Sequence, residues 1–174
     1  MKLILIRHAE SVANKKGISQ GQKVDTPLTE EGKQQAIKVA NRLDKEDLEV
    51  DVIYASSLKR TKQTAEIVGD KLGIGTRYDK RLIDIANHRN ESIESLVDRT
   101  KSFLRYLDKE HYKDTVLIIT HQGNNKTILG ISTGDREEGA KLAREIEQEN
   151  ACVNVLSKVN GESQIDLINC TRHL

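Results

Sequence analysis

The chain has 174 residues, with 28 Lys and Arg against 27 Asp and Glu, for a formal net charge of +1. That balance offers no electrostatic basis for holding nucleic acid or an anionic membrane, and 3% aromatics with no Trp leave little to stack on bases. The length suits one domain over 1–174 with a sizeable core, and 36% hydrophobic and 32% charged residues are the proportions of a folded soluble chain.

No apolar run approaches a membrane span, and MKLILI turns to charge at Arg7 too early for a signal peptide. Cys152 and Cys170 form no CxxC pair and stand in apolar, alternating surroundings. They read as small core or sheet residues, which suits a reducing, cytoplasmic setting.

Lys2–Ile6 reads as a short buried strand. Residues 15–28 are polar, contain Gly17, Gly21 and the single proline Pro27, and read as a loop. Thr29 is a fitting N-cap for a helix to about Leu43, with Ala36, Val39, Ala40 and Leu43 on its apolar face. Asp51–Ala55 is the next strand. Ser56 or Ser57 can cap a helix carrying Leu58, Ala65, Val68 and Leu72, which Gly73 closes. Residues 76–92 resist assignment. From Ser92 an amphipathic helix presents Ile93, Leu96, Val97, Phe103, Leu104 and Leu107. Thr115–Ile119 reads as a central strand, followed by a helix from about Gly123. Residues 136–149 read as a solvated helix. The C-terminal segment reads as two alternating strands about Asn160-Gly161, a favoured hairpin turn. Strands alternating with helices predict a three-layer α/β/α sandwich whose sheet is mostly parallel, with an antiparallel C-terminal piece.

In open α/β sheets ligands bind beyond the carboxyl ends of the strands. There the sequence places Arg7 and His8 after the first strand, Ser56, Ser57 and Arg60 after the second, and Thr120, His121, Gln122 and Gly123 after the central one. Arginine forks match phosphate oxygens, and histidine serves as a nucleophile or a cationic donor. A helix beginning near Gly123 would aim free N–H groups at the same rim. These residue types together suit a phosphoryl group. The plainer alternative is a set of unrelated surface and structural residues. His8 and His121 find no third ligand at metal-like spacing, and adjacent arginines would repel a cation, so neither metal nor cofactor is expected.

Read in order, LIRHAES with Asn14, QGQKVDTPLTEEGKQQA, IYASSLKRTKQTAEIV, NESIESLVDR, VLIITHQG and INCTRHL resemble the histidine phosphatase superfamily, which includes the cofactor-dependent phosphoglycerate mutases. The resemblance spans nearly the whole chain and implies a phosphoglycerate mutase-like fold. It implies that His8 is the nucleophile that becomes phosphohistidine. Arg7, Arg60 and a protonated His121 would form the phosphate-binding shell, with Asn14 touching the phosphate and Gln122 supplying a backbone N–H. The family's proton-donating glutamate corresponds to Asp84 here, shorter by one methylene, with His88 and Glu91 as other candidates. His111 and His173 read as surface or terminal residues.

The departure from the family lies between LIDI and NES, where only ANHR remains of a longer capping segment. A cap reduced to 84–92 implies an open, shallow pocket that lets water reach the phosphohistidine. Hydrolysis of phosphomonoesters is therefore expected ahead of mutase chemistry, on a phosphorylated small molecule or a phosphoprotein. A bisphosphoglycerate-dependent mutase and a catalytically silent phosphate-binding protein are the alternatives, and a homodimer is left open.

Overall fold

The computed structural model describes residues 1–46, 48–86, 91–159 and 161–174. In chain order the elements are β1 (Lys2–Arg7), α1 (Val12–Lys15), α2 (Glu30–Lys45), β2 (Val52–Ala55), α3 (Lys59–Leu72), β3 (Thr76–Tyr78), a 3-10 turn (Lys80–Leu82), α4 (Ile93–Glu110), β4 (Thr115–Thr120), α5 (Gln122–Ser132), α6 (Arg136–Glu145), β5 (Val153–Val159) and β6 (Glu162–Cys170).

The strands form one sheet in the order β3-β2-β4-β1-β5-β6. β1, β4, β2 and β3 run parallel, whereas β5 is antiparallel to β1 and β6 to β5. Alternation along the strands divides the core. Ile4, Ile6, Leu117 and Ile119 meet α2 and α3 through Ala36, Val39, Leu43, Ala65 and Val68. Leu3, Leu5, Val116 and Ile118 meet α4 and α5 through Phe103, Leu107, Ile128 and Leu129. Both faces of the central strands are covered, which is why KLILI and TVLII are unbroken apolar runs rather than alternating ones. The result is the three-layer sandwich expected from the sequence.

Several local expectations change. A four-residue helix, α1, interrupts the start of the first loop, capped by Ser11, whose side chain accepts from the Asn14 N–H. The unassigned stretch after residue 75 supplies the edge strand β3 and the 3-10 turn. Neither serine caps α3: Leu58 holds the cap position without a side-chain bond. The charged helix stops at Glu145, because Ile146 adopts extended backbone. His111 is not a surface residue. It is buried, with Nε2 3.0 Å from the Tyr54 hydroxyl and Nδ1 2.8 Å from Asp114. Asn160 of the expected hairpin turn lies outside the described residues.

Candidate active site

The site begins with strand register. Arg7 at the end of β1 pairs with Thr120 at the end of β4, so the residues that follow each strand, His8 and His121, emerge side by side. The His8 N–H donates to the Thr120 carbonyl at 2.9 Å, and the two imidazole rings cross edge to face with centroids 5.3 Å apart. Ser56 at the end of β2 donates its N–H to Ile119, which brings the third strand end to the same rim.

The conspicuous motifs of the sequence prove to be braces for the main chain around His8. In PLTEEGKQQ, Gln35 accepts the Glu10 N–H at 2.9 Å, and the Thr29 hydroxyl donates to the Glu10 carboxylate at 2.6 Å. A Cβ on Gly32 would stand 2.0 Å from the Glu10 carbonyl oxygen, so only glycine lets the first turn of α2 come this close. In SSLKRTKQT, residues 56, 60 and 64 lie four apart and face the same rim. Ser56 reaches His121, Arg60 reaches Asp84, and Thr64 accepts the Ala9 N–H at 3.1 Å. Ser56 is thus a site contact rather than a cap.

His8 is 3% exposed. Its Nδ1 lies 2.9 Å from the Ala9 carbonyl, which can only accept, so Nδ1 carries the proton and the Nε2 lone pair is free. Burial, reinforced by the Arg7 and Arg60 charges, holds its pKa well below the usual imidazole value. The ring is neutral at neutral pH, as a nucleophile requires.

His121 is equally buried, and burial, His8 and the two arginines hold its pKa well below the ordinary value. Without a bound anion, desolvation among fixed cations favours the neutral ring. Its Nε2 meets the Ser56 hydroxyl at 2.9 Å, and its Nδ1 stands 3.6 Å from Asp84 Oδ2.

Asp84 follows the 3-10 turn. Its Oδ2 accepts from Arg60 at 2.7 Å, and its Oδ1 accepts the Ile85 N–H at 2.9 Å. Burial pushes its pKa up, and Arg60 with the Ile85 N–H opposes that only in part. Of the other acid candidates, Glu91 is engaged by Arg99 at 2.6 Å and by the Ala86 N–H at 2.8 Å. His88 lies outside the described residues.

Both arginines are held by carbonyl oxygens. Arg7 Nη1 donates to the Gln148 carbonyl at 2.6 Å, and Arg60 donates to Gly21 at 2.9 Å and Val24 at 3.2 Å. Among the described residues, three buried nitrogens of the residues around His8 have no partner: Nε of Arg7, Nε of Arg60 and Nδ1 of His121. Unpartnered buried polar groups are costly in a folded protein unless something else binds them, and all three belong to residues that converge on His8.

The rim opens into a cavity of about 940 Å³ lined by Arg7, His8, Asn14, Asp84, Gln122 and residues 17–24, among others. The loop after α1 supplies much of its wall. Asn14 lies on this wall. Its Oδ1 accepts from Ser11 N at 3.1 Å and Asn150 at 3.3 Å. Gln122 lines the cavity at the start of α5, where helix N–H groups are free. Arg60 and His121 sit beneath the wall.

Residues absent from the sequence reading complete the frame. The segment between α6 and β5 clasps the nucleophile: Asn150 donates to the His8 carbonyl at 3.0 Å, and the Ala151 N–H reaches the Arg7 carbonyl at 3.1 Å. Ala151 reaches it from left-handed backbone, at φ 58°. The Gln148 side chain is itself fixed by Asn125 at 3.0 Å and Asn154 at 2.7 Å. In sequence this is only a polar tail to a charged helix. Among the described residues no group of three or more His, Cys, Asp or Glu is arranged to hold a metal ion. None of their helices is long and apolar enough to cross a membrane.

Comparison with known proteins defines the class. The histidine phosphatase superfamily (branch 1) matches residues 3–89 and 83–171, two pieces that overlap at 83–89. The chain belongs to that superfamily. It is 34% identical over 152 residues to phosphoserine phosphatase 1 of Hydrogenobacter thermophilus, a match covering 70% of this chain and 71% of the relative. Bacillus stearothermophilus YhfR superposes with a TM-score of 0.87 at 25% identity, over 99% of this chain and 98% of that one. An Entamoeba histolytica phosphoserine phosphatase (an H9A mutant in complex with phosphoserine) shares the fold with a TM-score of 0.83 at 24% identity, over 99% and 98%. The protein is an enzyme of the histidine phosphatase type.

Proposed function

We propose that the chain is a metal-independent phosphomonoesterase that works through a phosphohistidine on His8. The carrying observation is a neutral, buried His8 with a free Nε2, set among three unpartnered buried nitrogens of Arg7, Arg60 and His121. Nε2 attacks the phosphorus as the ester P–O bond breaks. The departing alkoxide takes a proton from Asp84, which its raised pKa keeps available. Charge growing on the phosphoryl oxygens meets Arg7 and Arg60; an ester that enters as its monoanion passes its proton to His121, whose desolvation the phosphoryl charge then offsets, so that His121 becomes a third cationic donor and returns the proton to the departing phosphate. Asp84, now ionised, then takes a proton from water, whose oxygen attacks phosphorus and frees His8 and inorganic phosphate. Two arginines and a histidine supply the positive charge that a metal provides in other phosphoryl-transfer sites.

The short ANHR segment favours hydrolysis over mutase chemistry, because a mutase must keep water from its intermediate. The substrates that similar proteins are named for, phosphoserine above all, point to a phosphorylated small molecule. Two free cysteines suit a reducing cytoplasm. The test is hydrolysis of p-nitrophenyl phosphate with acid-labile phosphoprotein trapping. Turnover and trapping should both be lost in His8→Ala, and EDTA should leave the rate unchanged. Phosphate binding without turnover of any ester would make this a silent binding protein, and bisphosphoglycerate-dependent phosphoglycerate interconversion would make it a mutase.

A further inference from the structure

We infer that Arg99 and Glu91 are a positioning pair for Asp84: together they hold the main chain from Arg81 to Ala86, so that the Asp84 carboxyl stays against Arg60 at the phosphoryl site. The inference rests on the phosphatase reading with Asp84 as its acid. It gives the segment NESIESLVDR, which sends no residue to the rim itself, a part in the reaction.

Neither Asp84 nor Ala86 belongs to a helix or strand: the 3-10 turn ends at Leu82, and α4 begins at Ile93. The acid therefore has no regular backbone ladder to fix it. Arg99, in the second turn of α4, reaches back to this stretch with its whole guanidinium. Its Nη1 donates to the Arg81 carbonyl at 2.5 Å, its Nη2 approaches the Asp84 carbonyl at 3.4 Å, and its Nε donates to Glu91 Oε1 at 2.6 Å. Glu91 Oε2 accepts the Ala86 N–H at 2.8 Å. From the cavity wall, Gln22 Nε2 donates to the same Asp84 carbonyl at 2.8 Å and lies 3.4 Å from Glu91 Oε2. The backbone is thus gripped at residues 81, 84 and 86, on both sides of the carboxyl.

The chemistry of the pair suits holding rather than stabilising. The two side chains are only 16% and 8% exposed, and an ion pair so enclosed contributes little net stability, because desolvating both charges offsets their attraction. A planar fork of donors fixes geometry well, since one rigid group meets several acceptors at once. Asp84 needs that precision. Its side chain has two rotatable bonds, so the carboxyl follows its own backbone closely and cannot reach out to recover a lost position. Displacing a reacting group by about 1 Å can lower a rate about 100-fold. A pair that only stabilised the fold would slow every substrate alike.

Leaving-group dependence tests this. In Arg99→Met, kcat/KM for an alkyl ester such as glycerol 3-phosphate should fall about tenfold, and that for p-nitrophenyl phosphate, whose leaving group needs little protonation, by no more than about twofold. Glu91→Ala should do the same, and Glu91→Gln, which keeps an oxygen for the Ala86 N–H, should recover part of the alkyl ester rate. In an Asp84→Asn background Arg99→Met should add no further loss on the alkyl ester, since no proton is left to aim. Arg99→Lys, which keeps the charge and loses the fork, carries the comparison where Arg99→Met does not fold. Crystal structures of the variants read the position without turnover: the Asp84 carboxyl should leave its 2.7 Å contact with Arg60. A displaced carboxyl in a protein whose wild type hydrolyses no ester would overturn the phosphatase reading and leave the anchorage of Asp84 standing. A carboxyl that stays on Arg60, equal slowing of both esters, or the same further loss in Asp84→Asn as in wild type would overturn the positioning role.

Discussion

Asp84 holds Arg60 at 2.7 Å, and the oxygen that does so stands 3.6 Å from Nδ1 of His121. A single carboxylate therefore occupies the space between two groups proposed to grip phosphate. Its negative charge would oppose an entering phosphoryl group, so it must carry a proton, or give way, when that group binds.

On the proposed mechanism Asp84→Asn removes proton donation to the leaving group. Alkyl ester hydrolysis should slow by about 10²-fold, the usual contribution of a positioned acid, and p-nitrophenyl phosphate by much less, since nitrophenolate needs little protonation. Because the folded pKa of Asp84 is raised, its acid form persists to higher pH than in a free carboxyl. Alkyl ester kcat/KM should fall as pH rises through that value, and Asp84→Asn should abolish the limb. Steady-state rates on both ester types decide; equal slowing counts against Asp84 as the acid.

The two buried histidines make stability depend on pH. Both have folded pKa values held well below the ordinary one. Between the two values the unfolded chain binds more protons than the folded one, so stability rises with pH there. Acidification from about pH 7 through the unfolded pKa of about 6.5 should therefore weaken the fold, until the folded values are passed. Denaturant unfolding at pH 7 and pH 5.5 should show a smaller acid loss in His121→Asn than in wild type.

Gly32→Ala places a methyl 2.0 Å from the Glu10 carbonyl oxygen, a backbone atom that cannot move without shifting the chain just after His8. The expected cost is about 1–3 kcal/mol in stability, together with a fall in kcat. Gly75→Ala, where a Cβ meets nothing within 4 Å, should be close to neutral. Urea unfolding and p-nitrophenyl phosphate turnover measured on both variants separate a local brace from a general glycine effect.

The two thiols should react differently. Burial pushes the Cys170 thiol up, but the Arg172 N–H groups and Arg42 outweigh it and bring the pKa to about 7. Burial dominates at Cys152, which sits at about 11. Iodoacetamide labelling followed by peptide mass analysis should modify Cys170 first, with a rate that climbs through pH 7, and Arg42→Met should move that midpoint upward.

Much of the molecule is legible in the sequence because its signals are local. Apolar runs mark strands covered on both faces, Thr29 and Ser92 mark helix starts, and Arg7, His8, Arg60 and His121 stand directly beyond strand ends, where topology must gather them. The family motifs were visible too, but their reason was not: Thr29, Gly32 and Gln35 are spaced to grip Glu10, a residue about 20 positions away. Register between β1 and β4 decided that His8 and His121 touch. Burial decided that His121 is neutral and that His111 is interior, since desolvation depends on everything packed around a ring. The clasp of Gln148, Asn150 and Ala151 on Arg7 and His8 joins segments about 140 residues apart through single hydrogen bonds, and such bonds leave no periodicity to read. What the chain order determined was which chemical groups reach the rim; how they are charged, held and walled in was decided by the packing of segments distant in sequence.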